Sequence, residues 1–425
     1  MLRARGPRGV LARAGLGLLV ALVLLALVEG LLRLLLGPPP PPLLVRSLWD
    51  FSKPLFEFRG QVVDPVYQRS DAIPPFGLHK QPDRPRVLVV GGSTVRAGSR
   101  LPLAQEFPMV LERLLLASGV RVEVINLGRP VFDSSGVREV VSQAMVLDPD
   151  VVVSVQGHND IGNVSFLRLY GDLESALAAR LWASLYRFRI YHLLERFTVP
   201  APRLSLPSPR GDLTRFRAVD RSRVLLAETF YRQNLDHMTH EAQDRGVAVV
   251  LATIVGDDLA SPGAPSCPDR IPPGSGKLTP REWKLGIPVP DLTLPNVEAA
   301  LVEDPDCADL LYLKGLLLTP HDPLGAAALQ RARDLDPLPI RATTAVQEAT
   351  REVARDRGAT LVDLDALARQ EGAGVAPRAW FVDPVHFSAL GHLEIARMLL
   401  DPLRQVLEGI DASEASPDGR GVSGR

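Results

Sequence analysis

Arg86-Val87-Leu88-Val89-Val90-Gly91-Gly92-Ser93-Thr94 is an apolar run that stops on a pair of glycines. It is too short for a helix and rich in β-branched residues, so it reads as a strand buried on both faces. A second run, Val151-Val152-Val153-Ser154-Val155, leads into Gly157-His158-Asn159-Asp160. Working outward, strands are expected at 86–91, 121–127, 151–156, 247–254 and 359–364. Helical periodicity falls between them at 103–118, 135–147, 222–245 and 342–357, with a last helix near 388–408. Strands alternating with helices imply a parallel sheet covered on both faces. Such sheets bind ligands at the carboxyl ends of their strands, where Ser93 and Asn159 fall.

A third short segment, Asp383-Pro384-Val385-His386, lies just before the last helix. A serine hydroxyl is a weak nucleophile until a histidine takes its proton and a third group orients that histidine. Ser93, His386 and Asp383 supply those three residue types, and the Asn159 amide is of the kind that holds an oxyanion. The other reading of Gly-Gly-Ser-Thr is an anion-binding turn, which lacks the lysine of a phosphate loop and leaves the Asp/His pair without a purpose. Asp160 is expected to hold its own turn through side-chain to backbone bonds, and His158 receives no role. His237 and His240 are three apart on an expected helix, but no third ligand accompanies them, so they are read as surface residues. His392, six residues past His386, is read as structural.

The three segments together resemble the SGNH, or GDSL-type, hydrolases. That family carries its nucleophilic serine in a GDS-like block, an oxyanion asparagine in GxND and the Asp/His pair in DxxH. Ser93, Asn159, Asp383 and His386 take those places, with Gly92 standing where the family has Asp. The resemblance spans roughly residues 86 to 405. It implies a flavodoxin-like three-layer α/β/α fold with strand order 2-1-3-4-5, and a serine esterase that needs no cofactor and no metal. A backbone N–H after the second strand completes the family's oxyanion hole, normally at the glycine of an N-x-x-x-x-G block. Here Asn126-Leu127-Gly128-Arg129-Pro130-Val131 puts Val131 at that glycine, and Gly128 is the other candidate donor. An acyltransferase acting on a polysaccharide has the same triad chemistry, so sequence does not separate the two. A non-catalytic scaffold is the remaining alternative. The substrate expected is an acyl ester, an acylated glycan among the candidates.

The chain has 425 residues, 46% of them hydrophobic, and a net charge of −1. It can hold one large domain or two modest ones, and nothing in its charge suggests a nucleic-acid partner. Arg3, Arg5, Arg8 and Arg13 precede an apolar stretch from Ala14 to Leu36 that Glu29 and Arg33 interrupt four residues apart. Uninterrupted, Ala14 to Val28 suits a signal-peptide core; with Leu31 to Leu36 the stretch reaches spanning length. No small-residue cleavage site follows, which favours an uncleaved anchor. The positive flank keeps the N-terminus in the cytoplasm and the rest outside it, in a periplasm or beyond a single membrane. Pro38 to Pro42 form a polyproline spacer.

Residues 1–43 are therefore anchor and spacer, 44–85 a Pro- and aromatic-rich segment wrapping a surface, and 86–410 the hydrolase-like domain. The tail 411–425 is expected to be disordered. Two insertions interrupt the domain. Residues 163–220 include an expected helix from Leu173 to Phe197, either a lid over the site or an amphipathic helix packed on the core. Residues 257–341 include a helical hairpin pattern, 308–315 and 325–337, like one tetratricopeptide-type repeat. A single copy cannot build a solenoid, so it packs on the domain, or it contacts a protein or glycan partner. Cys267 and Cys307 pair in an oxidising compartment or remain two thiols; neither has a second ligand at metal spacing.

Overall fold

The computed structural model describes residues 7–37, 55–65, 75–97, 101–166, 184–185, 187–198, 219, 221–267, 269, 292–318 and 322–415. The chain divides into two compact units, one of residues 1–42 with 173–203 and one of residues 43–172 with 204–425.

In the first unit, α1 (Pro7–Leu36) contains a stretch, Gly15–Leu36, long and apolar enough to cross a membrane or to serve as a signal sequence. A second helix, α5 (Arg189–Thr198), packs on it. Residues 173–183 of the expected helix lie outside the described residues, as do the polyproline spacer and residues 416–425.

The second unit opens on three short antiparallel strands, β1 (Phe56–Arg59), β2 (Val62–Pro65) and β3 (Phe76–Gly77). The sequence reading had no strands here. The central sheet follows as β4 (Arg86–Gly91), α2 (Phe107–Ala117), β5 (Glu123–Asn126), α3 (Ser134–Ala144), β6 (Val151–Val155) and α4 (His158–Phe166). After α5 (Arg189–Thr198) of the first unit come α6 (Arg221–Gln243), β7 (Ala248–Ala252), α7 (Leu294–Glu303), α8 (Ala308–Leu317) and α9 (Pro323–Asp334). The chain closes with α10 (Thr344–Arg357), β8 (Thr360–Val362), α11 (Leu364–Glu371) and α12 (Ala389–Ala415). The last helix runs well past the expected 408 and takes in residues assigned to a tail.

The five strands are parallel in the order β5-β4-β6-β7-β8. Numbered by first appearance this is 2-1-3-4-5, the flavodoxin-like order, and the fold is a three-layer α/β/α sandwich. Val87 to Val90 and Val151 to Val155 are buried throughout, as expected of central strands. Each valine or leucine side chain among them contributes about 1.5–3 kcal/mol by leaving water. Helices α2 and α12 pack together as one layer; α3, α6 and α10 form the other.

Arg86 explains how the small sheet is held. Its guanidinium is fully buried and donates to the carbonyls of Gly77 (2.9 Å), Leu78 (2.8 Å) and Leu147 (2.7 Å) and to Glu123 Oε2 (2.8 Å). One cation thus fastens β3 to the start of β4 in the main sheet. Leucine or methionine there would strand several carbonyls.

The second insertion forms the helical hairpin. Gly315 lets α8 and α9 approach closely, because a Cβ there would sit 2.4 Å from Leu329. Leu311, Tyr312, Leu316, Leu329 and Ala332 pack with Val375 and Leu259 of the main body, so the pair buries its face on its own domain. Cys267 and Cys307 form a disulfide across 40 residues, tying the loop after β7 to the start of α8. Loop closure of that length is worth about 4 kcal/mol in the chain-entropy picture. Melting with and without dithiothreitol is expected to show a clear fall in Tm on reduction; equal values would mean the hairpin packing alone holds this loop.

Candidate active site

Three loops at the carboxyl ends of β4, β5 and β6 meet the loop before α12. The chain ends β4 on Gly91 because no side chain fits there: a Cβ would lie 2.1 Å from Val155 O and 2.5 Å from Val95 Cγ2. Gly92 is equally bare, since a Cβ would meet Asn159 Nδ2 at 2.4 Å. The space a side chain at position 92 would need is thus taken by the Asn159 amide. The turn closes through Val95 N and Arg96 N donating to Gly92 O at 3.2 Å each, and Ser93 stands half-exposed at its tip.

The loop before α12 brings His386 to that serine. His386 Nε2 lies 2.8 Å from Ser93 Oγ, and its Nδ1 lies 2.7 Å from Asp383 Oδ2 and 2.8 Å from Oδ1. Asp383 Oδ1 also accepts from Val385 N (3.0 Å) and His386 N (2.8 Å). Burial alone would raise the Asp383 carboxyl. The hydrogen bond and charge of His386 and these backbone N–H groups outweigh it and hold the group well below the usual carboxylate range. An ionised Asp383 fixes Nδ1 as the protonated nitrogen, which leaves Nε2 as the acceptor for the serine proton.

Asn159 lies in the first turn of α4, after Gly157, where any Cβ would collide with Val346 at 2.6 Å. Its Nδ2 donates to Phe132 O at 2.7 Å; an amide nitrogen has a second hydrogen for an incoming oxygen. Gly92, Ser93, Phe132, Gln156 and Asn159 line one cleft.

Gly128 and Val131 differ in what their N–H groups meet. The Gly128 N–H donates to Asn126 Oδ1 at 2.9 Å, and a Cβ there would press on Val95 and on Arg96 N at 2.8–2.9 Å. It is a packing glycine beneath the Ser93 turn. Val131 instead adopts φ +71°, the left-handed conformation natural to glycine, and stays 40% exposed. A β-branched residue there is an outlier held by its surroundings. Asn163 Nδ2 does the holding, donating to Val131 O at 3.0 Å. No partner takes the Val131 N–H among the described residues.

Other supporting residues escaped the sequence reading. Asn163 lies four residues after Asn159, so helical spacing from GxND would have found it. Asp257 N donates to Pro384 O at 3.0 Å, which anchors the His386 loop, and nothing in the sequence points from 257 to 384. Buried Glu106 accepts from Arg96 Nη1 (2.6 Å) and Asn126 Nδ2 (2.8 Å), joining the β4 and β5 loops. Asp160 does more than hold its own turn: its carboxylate accepts from Ser134 N at 3.0 and 3.1 Å and from Ser134 Oγ, binding α4 to the start of α3. His240 is exposed beside Asp244 (3.3 Å), while His237 is half-buried.

His158 and His392 are buried and neutral. His158 Nδ1 accepts from Ala342 N at 2.9 Å and its Nε2 donates to Val255 O at 3.0 Å; His392 Nδ1 accepts from Phe107 N at 3.1 Å. Burial lowers the two to about 3 and about 4. A depressed folded value means the stabilisation is intact above the unfolded histidine value and is lost as pH falls towards the folded one. Tm is therefore expected to decline from about pH 6.5 towards pH 4, at a limiting slope of about 1.4 kcal/mol per pH unit for each histidine. A flat profile over that window would show that neither ring is held neutral.

No family model matches the chain, and no curated protein matches it. Solved structures do. The chain is similar to the crystal structure of TesA, at 15% identity and TM-score 0.35 over 76% of this chain and 99% of that one. It is similar to a lipase/acylhydrolase from Enterococcus faecalis, at 14% and 0.36 over 76% and 96%. It is similar also to Axe2, an acetylxylan esterase from Geobacillus stearothermophilus, at 13% and 0.36 over 75% and 94%. At such TM-scores the fold rests on the sheet order of this chain itself.

Proposed function

We propose that this chain is a serine esterase, held at a membrane by α1 with its second unit on the extracytoplasmic side. The observation that carries the reading is the 2.8 Å hydrogen bond between Ser93 Oγ and His386 Nε2, with Asp383 on the other ring nitrogen. A serine alone on a turn needs no histidine, and a histidine alone needs no carboxylate.

In the proposed reaction Ser93 Oγ attacks an ester carbonyl as His386 Nε2 takes its proton. The tetrahedral oxyanion is held by the N–H groups of Ser93 and Val131 and by Asn159 Nδ2. The C–O bond to the alcohol breaks, His386 returns the proton to the leaving oxygen, and an acyl-Ser93 remains. Water, deprotonated by His386, then releases the acid and restores Ser93. A sugar hydroxyl replacing that water would make the same site a transferase. The steps use no metal or organic cofactor. The Cys267–Cys307 disulfide fits an oxidising compartment.

Hydrolysis of p-nitrophenyl acetate by the full chain in lipid nanodiscs tests this reading, and measurable turnover is expected. Asn159→Ala should lower kcat by about 10²–10³, the usual loss for one oxyanion donor. A kcat within a few-fold of wild type would remove Asn159 from the mechanism.

A further inference from the structure

Glu29 and Arg33 stand out in the first unit, because charges within an apolar spanning segment persist only where partners hold them. Both have partners here. The buried Glu29 carboxylate accepts from Arg33 Nε at 2.6 Å and from the backbone N–H groups of Arg189 (2.9 Å) and Ile190 (3.1 Å). Those two residues begin α5, so Glu29 satisfies two of the four N–H groups that any helix leaves open at its start. The favour is returned at the other end. Arg189 Nε donates to Gly37 O at 2.8 Å and its Nη2 to Leu36 O, and Arg33 Nη2 donates to Arg187 O. Those carbonyls of residues 36 and 37 are the open acceptors where α1 stops. Each helix therefore caps the other.

The pinning sets the depth of α5. Glu29 to Leu36 spans about 10 Å of helix axis at 1.5 Å per residue, so the pinning holds the start of α5 beside the last two turns of the apolar helix, at the end that meets the interfacial layer. Apolar side chains are left bare beside it: Leu185 and Phe188 at 47% and Leu194 at 57% exposure. Leu34 and Leu35 at the end of α1 are barer still. Exposed apolar side chains on both helices, with arginines near them, match the interface between lipid headgroups and acyl chains.

We propose that α5, with Leu185 and Phe188 before it, forms an interfacial element lying on the membrane surface, docked to the end of α1 through Glu29 and Arg33, with a lipid surface covering Leu185, Phe188 and Leu194. On this account the two charges are the seat of α5, and α1 is retained, since cleavage behind it would remove what α5 is built on.

The test uses the full chain carrying Leu194→Cys, and separately Phe188→Cys, labelled with the fluorophore NBD and reconstituted in phosphatidylcholine/phosphatidylglycerol vesicles. Lipids bearing a doxyl quencher near the headgroup are expected to reduce the emission from both positions at least two-fold relative to unlabelled lipid. Adding Glu29→Ala and Arg33→Ala should abolish that quenching while the chain remains membrane-bound. Emission unchanged by the quencher, or self-quenching that reports a second copy against the face, would overturn the proposal. Quenching that survives the double substitution would overturn the assigned seat.

Discussion

Ser93→Ala is expected to remove nearly all ester hydrolysis, with kcat falling by about 10⁶ if the three residues act as one unit. The substitution deletes the hydroxyl that His386 Nε2 meets at 2.8 Å, and alanine, smaller than serine, fits the half-exposed turn. Folding should be unaffected, so Tm reports a control. Adding His386→Ala to Ser93→Ala should cost almost nothing more, because a base without a nucleophile has no step to assist. Steady-state kinetics of the two single variants and the double variant decide the matter. Additive losses would show that His386 acts on something other than Ser93.

The second large effect concerns stability. Asp258 is fully buried between Arg333 Nη1 at 3.1 Å and Arg369 Nη1 at 2.6 Å. Burial alone would raise its carboxyl, but the charges of Arg333, Arg369 and Arg341 outweigh burial and keep it below the usual carboxylate range. Asp258→Ala would leave a buried Arg333 without that carboxylate, and breaking a buried pair in this way typically costs about 3–5 kcal/mol. The residue joins the loop after β7 to α9 and α11, and its neighbour Asp257 holds Pro384. The variant should therefore melt earlier and also lose activity as the His386 loop loosens. Asp258→Asn separates charge from shape, and should fall between alanine and wild type in Tm. A melting temperature for Asp258→Ala equal to wild type would mean that the arginines find other partners.

Much of this was legible in the residues. Val87 to Val90 and Val151 to Val155 are buried on both faces, and a strand of that kind needs an unbroken apolar run, which is a local signal. Ser93 and the Asp383/His386 pair, 290 and more residues apart, were named by short motifs whose glycines and spacing have steric reasons, and the fold brings the three side chains into contact. What stayed hidden depended on partners distant in sequence. β1 to β3 are short and carry charged residues, and Arg86 fastens β3 through bonds that no local pattern reveals. The different surroundings of Gly128 and Val131 show only in the fold, where the Asn126 side chain takes the Gly128 N–H. Glu29 and Arg33 were visible as an interruption of an apolar helix, but their purpose needed the start of α5 beside them. The Asp257 contact with Pro384 has no sequence signature at all.

The central claim is that His386 makes Ser93 a nucleophile, and covalent labelling reads that directly. The full chain in nanodiscs would be treated with a fluorophosphonate probe and its peptides mapped by mass spectrometry. The account predicts one adduct on Ser93, formed at a rate that falls by orders of magnitude in His386→Ala and absent in Ser93→Ala. An adduct on another serine, or labelling of Ser93 that is indifferent to His386, would contradict it.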